Sequence, residues 1–181
     1  MVKISNQSEY IIRQENKNDY VYVENLFDKY FGKDRHERSV YHFRKGSPII
    51  SLCMLIEDSR SSTKKSLSNT ILASIRFWPI YFGSVKGLLL GPLAVREDIQ
   101  GLGHGASLIK SSLRKASINN WPFCFVSGEA DYYPKFGFHK IHHEDLNLPY
   151  PIDHARLHLK FLNPKAKNDL GKPPWVVKEY N

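Results

Sequence analysis

The chain has 181 residues, 41% of them hydrophobic and 13% aromatic, and 26 Lys+Arg against 18 Asp+Glu give a formal net charge of +8. This length suits one domain spanning 1–181, and the apolar content suits a packed core, which excludes a disordered chain. Two cysteines exclude a disulfide scaffold. The longest apolar region, Ile71 to Val95, is cut by Arg76 and Lys86, short of a membrane span. Met1 to Tyr10 lacks the apolar stretch of a signal peptide, so a cytoplasmic protein away from membranes is expected.

In chain order, the pattern predicts strands at Tyr10–Gln14, Ile49–Glu57, Ile71–Trp78, Lys86–Val95, Phe123–Gly128, Phe138–His142 and Arg156–Leu162. Asn18 and Asp19 are good helix caps, and Val23, Leu26, Phe27 and Tyr30 after them repeat at helical spacing. In Ile71–Trp78, apolar Ile71, Ala73, Ile75 and Phe77 alternate with Leu72, Ser74, Arg76 and Trp78, the mark of a half-buried strand. Asp58–Asn69 is polar and without apolar period, and reads as a loop between two strands. Leu88–Leu93 reads as a central strand buried on both faces, and Pro92, which cannot donate to a ladder, predicts a bulge or a break in pairing. A second helix begins near Gly103, with Ala106, Ile109, Leu113 and Ala116 on one face; shorter helices are expected at Arg38–Arg44 and Ala130–Lys135. Residues 163–181 hold Pro164, Gly171, Pro173 and Pro174 and read as an irregular tail that Trp175, Val176 and Val177 would dock.

Between Ser59 and Gly128 nine basic residues stand against two acids, Glu97 and Asp98. Such a window favours a polyanion, a nucleic acid or a phosphorylated small molecule, with solvated lysines as the plain alternative. The segment from Leu90 to Ala106 bears on this. A buried strand enters a turn with Gly101, Gly103 and Gly105, and an amphipathic helix follows. Glycines let backbone approach a ligand, and the first N–H groups of a helix lack internal partners and favour an anion, so the turn is a pyrophosphate cradle in prospect. Neither nucleotide fingerprint fits. Five residues separate Val95 from Gly101, no acid follows at the dinucleotide spacing, and Ala106 and Ser107 stand where a P-loop needs Lys and Ser/Thr.

Gln100-x-x-Gly103-x-Gly105 has the Arg/Gln-x-x-Gly-x-Gly/Ala form of the acetyl-coenzyme A loop of the GNAT acetyltransferase superfamily. Gly91–Val95 resembles that superfamily's fourth strand. Val126-Ser-Gly128 and Asp131-Tyr-Tyr-Pro-Lys-Phe-Gly-Phe138 resemble its fifth strand and the aromatic turn beyond it, and Leu162–Ala166 with Gly171 and Pro174 is similar to its YhbS-type bacterial branch. The resemblance is strong from about Ile71 onward and loose before Asp58. It implies an α+β fold, a twisted mixed sheet of about seven strands with helices on both faces and a splayed central strand pair. It further implies N-acetyl transfer from acetyl-CoA to a primary amine on a small molecule, a peptide or a protein N-terminus.

Site residues follow from the same resemblance. Leu93, Ala94 and Val95 would hold the pantetheine arm, with a Val95 N–H polarising the thioester oxygen. Gly101, Leu102, Gly103, His104, Gly105 and Ala106 would hold the pyrophosphate, and Gln100 would brace the turn. Tyr133 maps onto the general acid. A phenol of pKa ~10 protonates a thiolate whose conjugate acid lies near ~8.5 only by position; simple packing is the alternative for Tyr133, as for Tyr132. Many relatives carry a base on the fourth strand, but Lys86–Val95 has no acid, which leaves Glu129 or water.

Other features carry less chemistry. His139, His142 and His143 lack an acid or cysteine to complete a ligand set, so no metal is expected. Cys53 and Cys124 sit in apolar strands as inert thiols. His104 sits in the cradle and reads either as solvent-facing or as adding its charge to phosphate attraction below pH ~6.5. Pro149-Tyr150-Pro151 reads as acceptor rim or plain turn, and Lys110, Arg114 and Lys115 as contacts to the cofactor's 3′-phosphate or as a solvated face. A homodimer is compatible with the fold. Two other functions stand beside the enzyme: a non-catalytic acyl-CoA sensor on the same fold, and a nucleic-acid-binding module, disfavoured by the intact glycine turn.

Overall fold

The computed structural model describes residues 10–59 and 70–179; the polar loop expected up to Asn69 lies mostly outside them. One nine-stranded mixed sheet organises the chain, with β1 (Tyr10–Gln14), β2 (Met54–Asp58), β3 (Ile71–Phe82), β4 (Val85–Val95), β5 (Phe123–Ser127), β6 (His139–Lys140), β7 (Leu146–Asn147), β8 (Leu157–Phe161) and β9 (Trp175–Glu179). The main order is β1-β2-β3-β4-β5-β8-β6; β9 pairs with the far end of β3, and β7 with β9. All pairings along that main order are antiparallel except β4 with β5.

Several expectations shift. Residues 50–52 turn as a short 3-10 helix, so the second strand starts at Met54 rather than Ile49. Ile71–Phe82 outruns its predicted end because Tyr81 and Phe82 continue the pairing with β4 and β9. The sixth strand shrinks to His139–Lys140. The tail from 163 is not irregular over its described residues. Ala166–Leu170 is a helix, α3, and β9 follows, with Val177 buried and the Trp175 indole N–H donating to Leu170 O at 3.0 Å. Apolar docking surface outweighs the prolines, which stay outside both elements.

Two helices cover opposite faces of the sheet. The first, α1 (Tyr20–Phe31), packs Val23, Leu26 and Phe27 on Leu55, Ile71 and Ala94. The second, α2 (His104–Ile118), packs Leu108, Ile109, Leu113 and Ala116 on Ile56, Ile75, Phe77 and Leu90. Neighbours Leu55 and Ile56 thus enter different cores, as the alternation of a strand requires. The turn before α1 is capped by Asn16 rather than Asn18 or Asp19. Asn16 accepts from Asn18 N–H, and Asp19 accepts from Asn16 N–H, both at 2.8 Å, while Arg13 clasps Asp19.

The expected half-buried strand is buried on both faces, Arg76 included, because α1 lies over its second face. Arg76 resolves its charge internally. Its Nε and Nη2 donate to Glu15 at 2.9 and 2.6 Å, its Nη1 pairs with Glu24 on α1, and Glu24 also pairs with Arg35, which holds Asp28. The network ties β3, the end of β1, α1 and the following 3-10 segment into one unit. Removing one member of a buried pair strands the other in low dielectric, at a cost of about 3–5 kcal/mol. Arg76→Met should therefore lower stability by that amount in chemical denaturation, and adding Glu15→Met should recover most of the loss.

Candidate active site

The central feature is an extra residue in β4. Ile75 faces Leu93 and Phe77 faces Leu90, so two steps on β3 correspond to three on β4, a bulge at Gly91-Pro92. Pro92 brings no N–H to the ladder, the reason the sequence predicts a break there. The register of β4 with β5 runs through Leu88↔Cys124 and Leu89↔Phe125, whereas β4 continues to Val95 and β5 to Ser127. The two central strands therefore part beyond Leu89. Arg96 N–H donates to Leu72 O at 2.8 Å. Backbone groups alternate between the edges of a strand, so Leu93 and Val95 turn theirs toward the gap and Ala94 toward β3.

At the end of β4 the chain makes a short 3-10 turn, Glu97–Ile99, and enters α2 through the glycines. Gln100 Nε2 donates to Val95 O at 2.9 Å, tying the turn to the strand edge. Gly101 and Gly103 have φ of +78° and +84°, open to glycine without strain. The first α2 bond visible at this end is Ser107 N–H to Gly103 O, so His104, Gly105 and Ala106 present amides that a helix cannot satisfy internally. Gly105 has a steric reason too. A Cβ there would sit 3.0 Å from the Tyr132 hydroxyl and 3.4 Å from Val95 Cγ2. Tyr132 packs as expected, with its hydroxyl against the start of α2. Leu102 is largely exposed, and the His104 ring lies edge-on to Tyr10 at 4.7 Å with Nε2 buried, rather than facing solvent.

Tyr133 opens the 3-10 helix Tyr133–Phe136 beyond β5. A Cβ on Gly128 would fall 2.0 Å from its ring, so the ring occupies the space a side chain there would need. Phe138 and Tyr132 meet that ring edge-on at 5.6 and 5.4 Å. Burial pushes the phenol well above its usual range, with Arg44 pulling weakly the other way. Glu129 is exposed and paired with Arg156 at 2.9 Å, and lines no part of the cavity described next.

That cavity, of about 200 Å³, lies on the α1 side of the bulge between Tyr20, Glu24, Arg35, Arg44, Arg76 and Pro92. None of these was singled out as a site residue. Tyr150 packs on His42 and Phe43, beside the cavity-lining Tyr41 and Arg44. Of the described basic residues between Ser59 and Gly128, three are engaged within the fold. Arg76 is buried, Arg96 clasps Asp98 at 2.6 Å, and Lys115 is held by Gln14 at 2.8 Å. Cys53 and Cys124 are buried free thiols, the first pushed up to about 12 by desolvation. Among the described residues no group of three or more His, Cys, Asp or Glu is placed to hold a metal, and no helix is long and apolar enough to cross a membrane.

A mixed sheet whose parallel centre splays beside a glycine turn and helix N-terminus is the fold of the GNAT N-acetyltransferases. The chain superposes on GNAT family YhbS from Escherichia coli, solved with CoA, with a TM-score of 0.78 and 19% identity over 99% of this chain and 94% of that one. A GNAT family acetyltransferase from Brucella melitensis, solved with acetyl-CoA, gives 0.61 and 21% over 86% and 89%. At these identities the likeness is one of fold. In sequence, the chain is 37% identical over 65 residues to the uncharacterized N-acetyltransferase YjhQ of Escherichia coli (strain K12), a match spanning 35% of this chain and 36% of that relative. No protein-family model matches.

Nothing lies within 4 Å of a Cβ built on Gly103, so its requirement is conformational alone. Gly103→Asn, tolerant of left-handed backbone, should lower the melting temperature less than Gly103→Val, whose branched side chain resists positive φ. Thermal unfolding of the pair gives the order; equal losses would mean that the turn relaxes.

Proposed function

We propose that the protein is an N-acetyltransferase that moves an acetyl group from acetyl-CoA directly to a primary amine. The observation that carries this reading is the parting of β4 from β5 beyond Leu89, with free amides at the start of α2 on one side and the Tyr133 phenol on the other. In this reading the pyrophosphate lies on the amides from Gly101 to Ala106, where the helix dipole favours an anion. The pantetheine arm runs along Leu93, Ala94 and Val95, Gln100 fixing the turn at the strand end.

The amine nitrogen attacks the thioester carbon, and negative charge grows on the carbonyl oxygen. A Val95 N–H facing the gap stabilises that oxygen, a contribution of about 3–4 kcal/mol in other acyl transfers. The C–S bond then breaks, the thiolate takes the phenolic proton of Tyr133, and solvent reprotonates the tyrosine. The other proton, from the attacking nitrogen, goes to water. Glu24 is held between Arg35 and Arg76, and Glu129 is engaged with Arg156 at the surface.

Tyr133→Phe should reduce kcat by about 10²- to 10⁴-fold while leaving acetyl-CoA binding intact, measured by thiol release and calorimetry. Binding without turnover of any amine in the wild type would favour the sensor reading. Because burial raises the phenol's pKa, Tyr133 keeps its proton through pH 10, and no falling limb of kcat should appear there. With water as base, kcat/KM should rise with pH up to the pKa of the acceptor amine itself. A limb near pH 5–6 lost in Glu129→Gln would instead assign the base to that carboxylate.

A further inference from the structure

We propose that the cavity beside the β4 bulge is the acceptor pocket, and that Arg44 in it takes a carboxylate carried by the acceptor amine. This rests on the acetyl-transfer reading and specifies its acceptor as a small amine bearing a carboxylate. Among the described residues, seven buried side-chain atoms lack a hydrogen-bond partner, and four of them, Arg35 Nε, Arg44 Nε, Arg44 Nη1 and Trp78 Nε1, belong to residues that line this one cavity. All four are donors. A buried unpartnered donor is costly, and the group that answers several at once is an anion with several lone pairs.

Ion pairing points to Arg44 among the three guanidiniums. Arg76 pairs with Glu15 and Glu24, and Arg35 with Glu24 and Asp28. Arg44 has no carboxylate partner among the described residues. Its guanidinium lies over the Tyr41 ring at 4.0 Å, which fixes its plane, and one of its nitrogens is 2.8 Å from where a Cβ of Gly91 would stand. Gly91 opens the bulge at which β4 leaves β5, so an amine anchored here has its nitrogen toward the gap where the thioester is proposed to lie. Burial without a counter-ion pulls the Arg44 pKa down to about 10, the sign of a cation kept at a cost to the fold. The volume, about 200 Å³, is below the range of drug-sized sites and suits a molecule of amino-acid size.

The test uses the twenty protein amino acids, β-alanine and 4-aminobutyrate, each beside its carboxamide, which matches it in shape but lacks that carboxylate. With saturating CoA, under which no transfer occurs, at least one carboxylate probe should raise the wild-type melting temperature by several degrees and its carboxamide should not. Arg44→Met should abolish the response while melting no lower than the wild type, because it removes a buried unpaired charge. Arg44→Lys should restore part of the response. With acetyl-CoA, the same probe should be acetylated with kcat/KM at least 100-fold above its carboxamide, a preference lost in Arg44→Met with the KM for acetyl-CoA unchanged. Should Arg44→Met fail to fold, Trp78→Phe, which deletes one donor and keeps a ring, should weaken the carboxylate response about tenfold. Equal responses to acid and amide, no response to any probe, or an Arg44→Met enzyme slowed equally on all amines would overturn the proposal. A melting response without acetyl transfer would overturn the transfer reading alone.

Discussion

The proposed function depends on one extra residue in β4. The bulge at Gly91-Pro92 interrupts an otherwise regular ladder with β3 and coincides with the point where β4 leaves β5. A flush pair of strands would spend the amides of Leu93 and Val95 on carbonyls of β5. Parted, the strands leave those groups turned toward the gap. The same bulge turns Pro92 into the cavity on the opposite face. A single irregularity thus borders both the gap proposed for the thioester arm and the cavity proposed for the amine.

The charged layer beneath α1 gives that irregularity a rigid floor. Buried ion pairs seldom add much net stability, because desolvation offsets their attraction. Here their value is positional: Arg76 and Arg35 share Glu24, and through it β3, α1 and the segment that carries Arg44 keep a fixed relation. Arg44 stands apart from these ion pairs. A fold seeking stability alone would replace it with an apolar side chain, which is why an unpaired buried guanidinium in a cavity speaks for a ligand.

The parts of the molecule legible in the sequence are those governed by local backbone chemistry. Pro92 announces the break in β4, and Gly101 and Gly103 announce a turn that needs positive φ. The apolar spacing of α1 and α2 reports their buried faces. What escaped depends on elements distant in sequence. Strand alternation puts Arg76 on an open face, and only the packing of α1 across β3 makes that face a core. The isolated arginine in an apolar run was the available signal, since a buried charge demands a partner. Arg44 gave no such signal, ending an ordinary polar segment whose placement comes from Phe43, buried in one cluster with Ile80, Phe82 and Leu89. The tail misled for a related reason, as prolines mark breaks but do not report the apolar surface on which Trp175 and Val177 settle.

The central claim is that the gap between β4 and β5 and the amides at the start of α2 together hold one molecule of acetyl-CoA. Titrating isotopically labelled protein with CoA while following backbone amide resonances tests this most directly. The account predicts the largest shifts at Leu93, Val95 and Gly101 to Ala106, saturating together at one equivalent. Resonances of those residues that stay fixed at millimolar CoA, or that move only with the basic face of α2, would contradict it.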